Sequence, residues 1–485
     1  MVGELIFDWA QKTPRSTALV YNDRVWSYRA LADEISLARA YFSRRGCVGP
    51  GHAVLAFHNL LDFWILGLAL RSLGLTTVAV GSTKVIEGLV LDNIRCVIAR
   101  PAEPWPDLAP LCAERGWNLL SVSLKGEPAP DKGEPSPACE PGGHLLLTSG
   151  TTGIYKMVLM TPAINSFLIR RKADFLGLNS DSVVAIFDCG GWSAIGYRCA
   201  AISWVVGGGT LITQGREPYR AMRYPKLTHA IIPPSRLDTI LSAPADAFER
   251  NETLQLIVGG GTMTRRQIEQ TKARITPRIF NCFASTETSI VAHTYLETAE
   301  DQRWHWPVTD RAVEVVDEKD RPVAPGEIGR VRVRTGKGPA NYFGNEAATK
   351  IFFRNGYFYP GDLAMMRADG RFALQGRSTD VINLQGQKIF PAPVEDHLRE
   401  MLDVSGVCLL SMQNNRGEEE LHIAIESSKP LEETRLHAAL KSALSAYPRA
   451  HIRVRYVPSF PRNHMGKIER QAIRARVTAS LEHAT

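Results

Sequence analysis

Residues 145–157 read LLLTSGTTGIYKM: three leucines, then Thr148, Ser149, Gly150, Thr151, Thr152 and Gly153, then Lys156. An apolar strand that runs into a glycine- and hydroxyl-rich turn can wrap backbone N–H groups and side-chain hydroxyls around phosphate oxygens. Lys156 adds a mobile positive charge to such a cradle. The spacing is not that of GxxxxGK[ST], because Gly150, Gly153 and Lys156 fall at other intervals. An ordinary polar turn has the same composition, so the loop alone leaves phosphate binding and simple chain reversal both open.

Other stretches narrow the choice. They are the glycine run Gly259, Gly260 and Gly261, NCFASTE at 281–287, YFYPGDL at 357–363, GRSTDVINLQGQKIFPAPVE at 376–395 and PRNHMGKIER at 461–470. With LTSGTTGIYKM, these stretches resemble, in order and rough spacing, the acyl- and aminoacyl-adenylate-forming enzymes. That family includes acyl-CoA synthetases, luciferases and peptide-synthetase adenylation domains, and the resemblance covers almost the whole chain. WSYRALADEI at 26–35 is a weaker match that concerns packing. Tyr155 and Met157 stand where the family's TSGTTGxPKG has proline and glycine, Ala284 replaces the glycine of YGxTE, and Thr379 replaces the first of an acidic pair.

The resemblance implies a role for each matching residue. Thr148 to Gly153 and Lys156 would hold ATP phosphates, with Gly260, Gly261, Phe283, Ala284 and Ser285 around the nucleotide. Thr286 would contact the α-phosphate, and Glu287 would bind Mg²⁺, a hard ion suited to carboxylate oxygen. Asp362 and Arg377 would take the ribose hydroxyls, as a charged acceptor and a forked donor can. Lys467 would bridge the substrate carboxylate and the α-phosphate. Thr379 would belong to the hinge of a mobile C-terminal domain, with Asp380 keeping the second acidic position, and Gly386 would line a thiol channel.

The reaction so implied joins a carboxylic acid to AMP with release of pyrophosphate, then passes the acyl group to CoA. The closing PRNHMGK is nearer to acyl-CoA synthetases than to peptide-synthetase domains. A separate phosphopantetheinyl carrier protein is the alternative acceptor. AIFDCGGWSAIG at 185–196 supports two readings of the acid pocket. In one, Asp188 holds an amino acid's ammonium group. In the other, Trp192 is an aromatic gate and, with Gly259, admits an aryl or short aliphatic acid. A chain that binds ATP without turnover, as a regulatory protein, is a rival of another class.

The elements that must position these residues follow from periodicity. HAVLAF and TTVAV flank the helical pattern LLDFWILGLALRSLG, and LQLIVGGG and RIFNCFAS continue an alternation of strands and helices. An α/β fold is expected, with parallel and mixed sheets in a large N-terminal domain over 1–376 and a small antiparallel subdomain between Arg311 and Thr335. A small, mobile α+β C-terminal domain is expected over 377–485. The proline- and glycine-rich segment Lys125 to Gly143 reads as an exposed connection.

Composition excludes some alternatives. A chain of 485 residues, 44% of them hydrophobic, can build more than one core. The eight cysteines are scattered without a CxxC pair, which fits reduced thiols in the cytoplasm. The N-terminus lacks the basic-then-apolar order of a signal peptide, and the apolar stretch from Phe63 to Val80 is interrupted by Arg71 and Ser72, so no membrane span is expected. Net charge is +7 without a lysine or arginine block, which a small phosphorylated ligand explains as well as a polyanion does; no nucleic-acid partner is expected. The twelve histidines form no metal-ligand pattern.

Overall fold

The computed structural model describes residues 2–129, 140–148, 155–187, 189–298, 300–384, 387–413, 419–447, 451–462 and 468–482. Two large sheets form the body of the chain. The first has nine strands in the spatial order Trp306–Pro307, Ser289–Tyr295, Ile279–Ser285, Gln255–Gly259, His229–Ile232, Val183–Phe187, Gly209–Thr213, Thr17–Tyr21 and Arg24–Ser27. The run from Ile279–Ser285 to Thr17–Tyr21 is parallel, and the two flanks are antiparallel.

The second sheet has six strands in the order Leu119–Ser121, Ile94–Ala99, His52–Leu55, Thr76–Ala79, His144–Thr148 and Lys156–Met160. It is parallel except for its last pair, in which Thr148 faces Lys156. Both sheets are built of buried Val, Ile, Leu and Ala runs, as expected of strands covered on both faces.

Between the sheets lie the helices Tyr28–Arg44, Leu60–Ser72 and Ala194–Trp204. Leu60–Ser72 is apolar on nearly every side and buries Phe63, Trp64, Leu66, Leu68 and Leu70, which is what a helix enclosed by two sheets requires. Each helix begins at a side-chain cap: Ser27 accepts from the Ala30 amide, Asn59 from that of Asp62 and Ser193 from that of Gly196.

A third sheet is antiparallel and joins Val313–Val316, Ile328–Arg334, Phe353–Arg354, Tyr357–Phe358, Asp362–Met366 and Phe372–Arg377. The last part of the chain has its own apolar cores. The strands Val407–Gln413, Glu419–Glu426 and Ile452–Val457 pack against the helices Pro391–Leu402, Glu433–Ala443 and Arg470–Glu482. Among the described residues no helix is long and apolar enough to cross a membrane.

Strand order explains where a ligand can sit. From Val183–Phe187 the chain moves to Gly209–Thr213 on one side and then to His229–Ile232 on the other. The connections leaving neighbouring strand ends diverge there and open a crevice at the carboxyl edge of the sheet. The segments after Val183–Phe187, Gln255–Gly259 and Ile279–Ser285 leave the same edge. They carry Trp192, the glycine run and the Ser285–Thr288 loop.

Candidate functional site

A cleft of about 3230 Å³ runs along this edge. Thr148, Lys156, Trp192, Gly259, Gly260, Gly261, Phe283, Ala284, Ser285, Thr286, Glu287, Asp362, Arg377 and Thr379 all line it. Ser149, Gly150, Thr151, Thr152, Gly153, Asp188, Gly386 and Lys467 lie outside the described residues.

Thr148 ends its strand with a buried hydroxyl that has no hydrogen-bond partner among the described residues. Such a group lacks a donor or acceptor that a bound ligand can supply. Lys156 faces it across the strand pair. Sequence reasoning expects a mobile cation here, but the structure holds Lys156 in the first position of a strand, half-buried. Its ammonium lies 3.7 Å from the Phe352 ring centre and 4.8 Å from that of Tyr342. Burial lowers its pKa, Glu287 pushes it back up and Arg377 adds to the lowering. The aromatic faces restrain the charge by their quadrupoles.

Glu287 is buried in the cleft, and Tyr342 donates its hydroxyl to Glu287 Oε1 at 2.7 Å. Burial first, then the Glu287 charge, keeps the Tyr342 hydroxyl protonated. The loop carrying Glu287 is braced from several sides. Thr288 donates its amide to Ser285 Oγ at 3.1 Å, and the two hydroxyls are 2.9 Å apart. The buried Arg198 guanidinium donates to the Thr286 carbonyl, and Arg311 donates to that of Thr288 at 3.0 Å. Ser289 closes the loop with φ +63°, a left-handed conformation that is uncommon for a residue bearing a Cβ.

Asp362 and Arg377 begin and end adjacent strands of the antiparallel sheet and face each other in register. Arg377 Nε is 3.3 Å from Asp362 Oδ1, and the same guanidinium donates to the Pro360 carbonyl. Thr379 and Asp380 lie in the short turn Ser378–Asp380. Thr379 donates to Asp380 Oδ1 at 3.3 Å, and Asp380 Oδ2 is 3.6 Å from Arg470 Nε.

Around Trp192 the cleft is tightly fitted. The Trp192 ring meets His58 edge-on with centres 5.4 Å apart. A Cβ on Gly190 would fall 2.2 Å from the Trp192 ring, so only glycine fits beneath it. A Cβ on Gly259 would sit 3.0 Å from Cys282 Sγ. Cys282 is buried enough for its thiol pKa to rise to about 11, which makes it an apolar lining rather than a nucleophile. Sequence reasoning missed Tyr342, Phe352, Arg198 and Lys172, which also belong to this cleft or brace it. They are single residues on distant elements, and no local motif marks them.

A profile of the AMP-binding enzyme family matches residues 6–341. The chain belongs to that family. Among related AMP-binding enzymes, 2,3-dihydroxybenzoate–AMP ligase of Bacillus subtilis is 24% identical over 99% of this chain and 94% of its own length. 2-Hydroxy-7-methoxy-5-methyl-1-naphthoate–CoA ligase of Streptomyces carzinostaticus is 26% identical over 70% of this chain and 63% of its own length. The fold is that of o-succinylbenzoate CoA synthetase from Bacillus subtilis in complex with ATP and magnesium ion. The TM-score is 0.83 at 20% identity, covering 97% of this chain and 99% of the other. An anthranilate CoA ligase in complex with anthranoyl-AMP gives a TM-score of 0.81 at 17% identity over 100% and 98%. The α/β architecture expected from the sequence is thus shared with solved adenylate-forming enzymes.

Proposed function

We propose that the protein activates a carboxylic acid by joining it to AMP from ATP, with release of pyrophosphate, and then transfers the acyl group to the thiol of CoA. The observation that carries this reading is the meeting of Lys156, Glu287 and the Asp362–Arg377 pair in one cleft with the Thr148 hydroxyl, which has no partner among the described residues. They come from four separate stretches of sequence and suit different parts of a nucleoside triphosphate.

Lys156 would neutralise phosphate charge, and Asp362 with Arg377 would accept and donate to a diol. Among the described residues no cluster of three or more His, Cys, Asp or Glu could hold a metal ion. A lone carboxylate nevertheless fits Mg²⁺, which commonly takes one or two protein carboxylates and completes its sphere with phosphate oxygens and water. Glu287 would hold that ion, which would supply positive charge beside the phosphate oxygens. The chain's own contribution is placement and preorganised charge, since phosphoryl and nucleotidyl transfers need little protein nucleophilicity. Lys467, for which the sequence resemblance implies the bridging role, would complete the charge array.

Trp192, Ile231, Ile257 and the Gly259 strip offer a flat apolar space suited to an aryl or short aliphatic acid. Most of the related enzymes named above act on aryl acids, which favours the aryl case. The test is pyrophosphate release over a panel of carboxylic and amino acids with ATP and Mg²⁺, each with and without CoA. Acid-dependent release followed by a CoA thioester is expected. A release that CoA fails to convert would move the acceptor to a carrier protein, and the absence of acid-dependent release would overturn the reading.

A further inference from the structure

The acid end of the cleft carries a cation that the described chain does not neutralise. Lys172, on the helix Pro162–Phe175, lines the cleft, and its ammonium donates to Cys199 Sγ at 3.3 Å. That thiol is its one hydrogen-bond partner among the described residues, and a thiol is a weak acceptor for a three-donor charge. Arg198, next to Cys199 on the helix Ala194–Trp204, is buried and spends its guanidinium on the Thr286 carbonyl. Its Nε has no acceptor among the described residues. Neither cation has a described carboxylate in ion-pair contact.

The position of Lys172 matters as much as its charge. A Cβ on Gly259 would touch Cys282 Sγ, and Cys282 in turn lies within electrostatic reach of Lys172 and Cys199. The glycine strip, Cys282, Cys199 and the Lys172 ammonium therefore belong to one neighbourhood of the cleft. Ile231, Ile257 and Trp192 line the same cleft and keep the approach apolar.

We infer that Lys172 forms the far floor of the acid pocket and pairs with a second carboxylate on the substrate, separated from the reacting carboxylate by an apolar or aryl body. The inference rests on the acid-activating reading above and narrows its substrate class to diacids. A thiol is a weak acceptor for an ammonium, whereas a carboxylate gives it a short, charge-assisted hydrogen bond.

The experiment compares matched acids in the pyrophosphate-release assay: benzoate against its three dicarboxylate counterparts, and butyrate against glutarate. Wild-type protein is expected to favour at least one diacid over its matched monoacid by about tenfold or more in kcat/KM, the worth of a charge-assisted hydrogen bond. Lys172→Met is expected to erase that preference through the KM for the diacid, Lys172→Arg to retain part of it, and Lys172→Glu to lower it further. The KM for ATP should not follow these changes. Monoacids that equal or outrank diacids with wild-type protein, an amino acid with a single carboxylate as best substrate, or an unchanged ratio in Lys172→Met would each overturn the inference. If Lys172→Met fails to fold, the wild-type ratio and the Lys172→Arg variant decide. Turnover of monoacids without diacid preference sinks this inference alone, whereas no pyrophosphate release with any acid sinks the activity reading itself.

Discussion

At the scale of single residues, the site depends on charges that are neither free nor fully neutralised. Lys156 sits over two aromatic rings, and one of those rings, Tyr342, carries the hydroxyl that donates to Glu287. One side chain thus restrains the cation with its face and the anion with its edge. Tyr342→Phe keeps the ring and its packing against Phe352 and Phe353 but removes the donor to a buried carboxylate. A hydrogen bond to a charged group is worth about 1.5–3 kcal/mol, and here the loss would fall on the group proposed to hold Mg²⁺. We expect adenylation to slow by about tenfold or more at fixed Mg²⁺, the Mg²⁺ requirement to rise and the melting temperature to fall modestly. Pyrophosphate exchange titrated with Mg²⁺ checks this, and an unchanged Mg²⁺ dependence would remove Tyr342 from the site. Glu287 stands out in the sequence because it belongs to a contiguous string, whereas Tyr342 is 55 residues away and meets it only in the folded chain. Residue type and local spacing hold no trace of that contact.

At the scale of elements, the parts that are legible in sequence are those determined by local pattern. The strand His52–Leu55, the helix Leu60–Ser72 and the strand Thr76–Ala79 are legible as apolar runs of strand, helix and strand length. Sheet order does not, because it pairs Thr17–Tyr21 with Gly209–Thr213 across almost two hundred residues. The connection after Val183–Phe187 shows how an element turns such order into a site. Gly190 accepts hydrogen bonds from the Ser193 amide at 3.1 Å and the Ser193 hydroxyl at 3.0 Å, so the loop closes tightly into the helix Ala194–Trp204. The same closure presses the Trp192 ring against Gly190, and Gly191 stands where any Cβ would be 2.3 Å from the Phe63 ring. Glycine spacing in the sequence hints at a turn, but which ring needs the space is a tertiary fact. Gly190→Ala must displace Trp192, and overpacking of this kind costs about 1–3 kcal/mol. A lower melting temperature and a severalfold rise in the KM for the acid, without a matching rise in the KM for ATP, are expected from calorimetry and steady-state kinetics. Equal effects on both KM values would show that the loop does not serve the acid end specifically.

At the scale of the whole molecule, the nine-stranded sheet and the antiparallel sheet meet at one seam. His305 precedes the edge strand Trp306–Pro307 and exchanges two backbone hydrogen bonds with Phe372 of the antiparallel sheet, at 2.9 and 3.0 Å. Its ring is buried, with 7% exposure, and Nδ1 has no partner among the described residues. Burial, with a smaller push from His293, lowers the His305 pKa to about 4 from an ordinary 6.5. In the unfolded chain the imidazole takes up its proton near pH 6.5, so between pH 6.5 and 4 the unfolded state binds more protons than the folded one. Stability is therefore intact above pH 6.5 and declines as the pH falls towards 4. For one such group, the loss between pH 7 and pH 5 is about 2 kcal/mol. His305→Phe keeps a ring in the seam and cannot be protonated. We expect urea unfolding to show the wild type losing about 2 kcal/mol more than the variant over that interval. Because the seam joins the sheet that carries Glu287 to the one that carries Asp362 and Arg377, activity at pH 5 should also fall less in the variant. Parallel pH profiles for the two proteins would show instead that His305 stays neutral or that the seam opens without it.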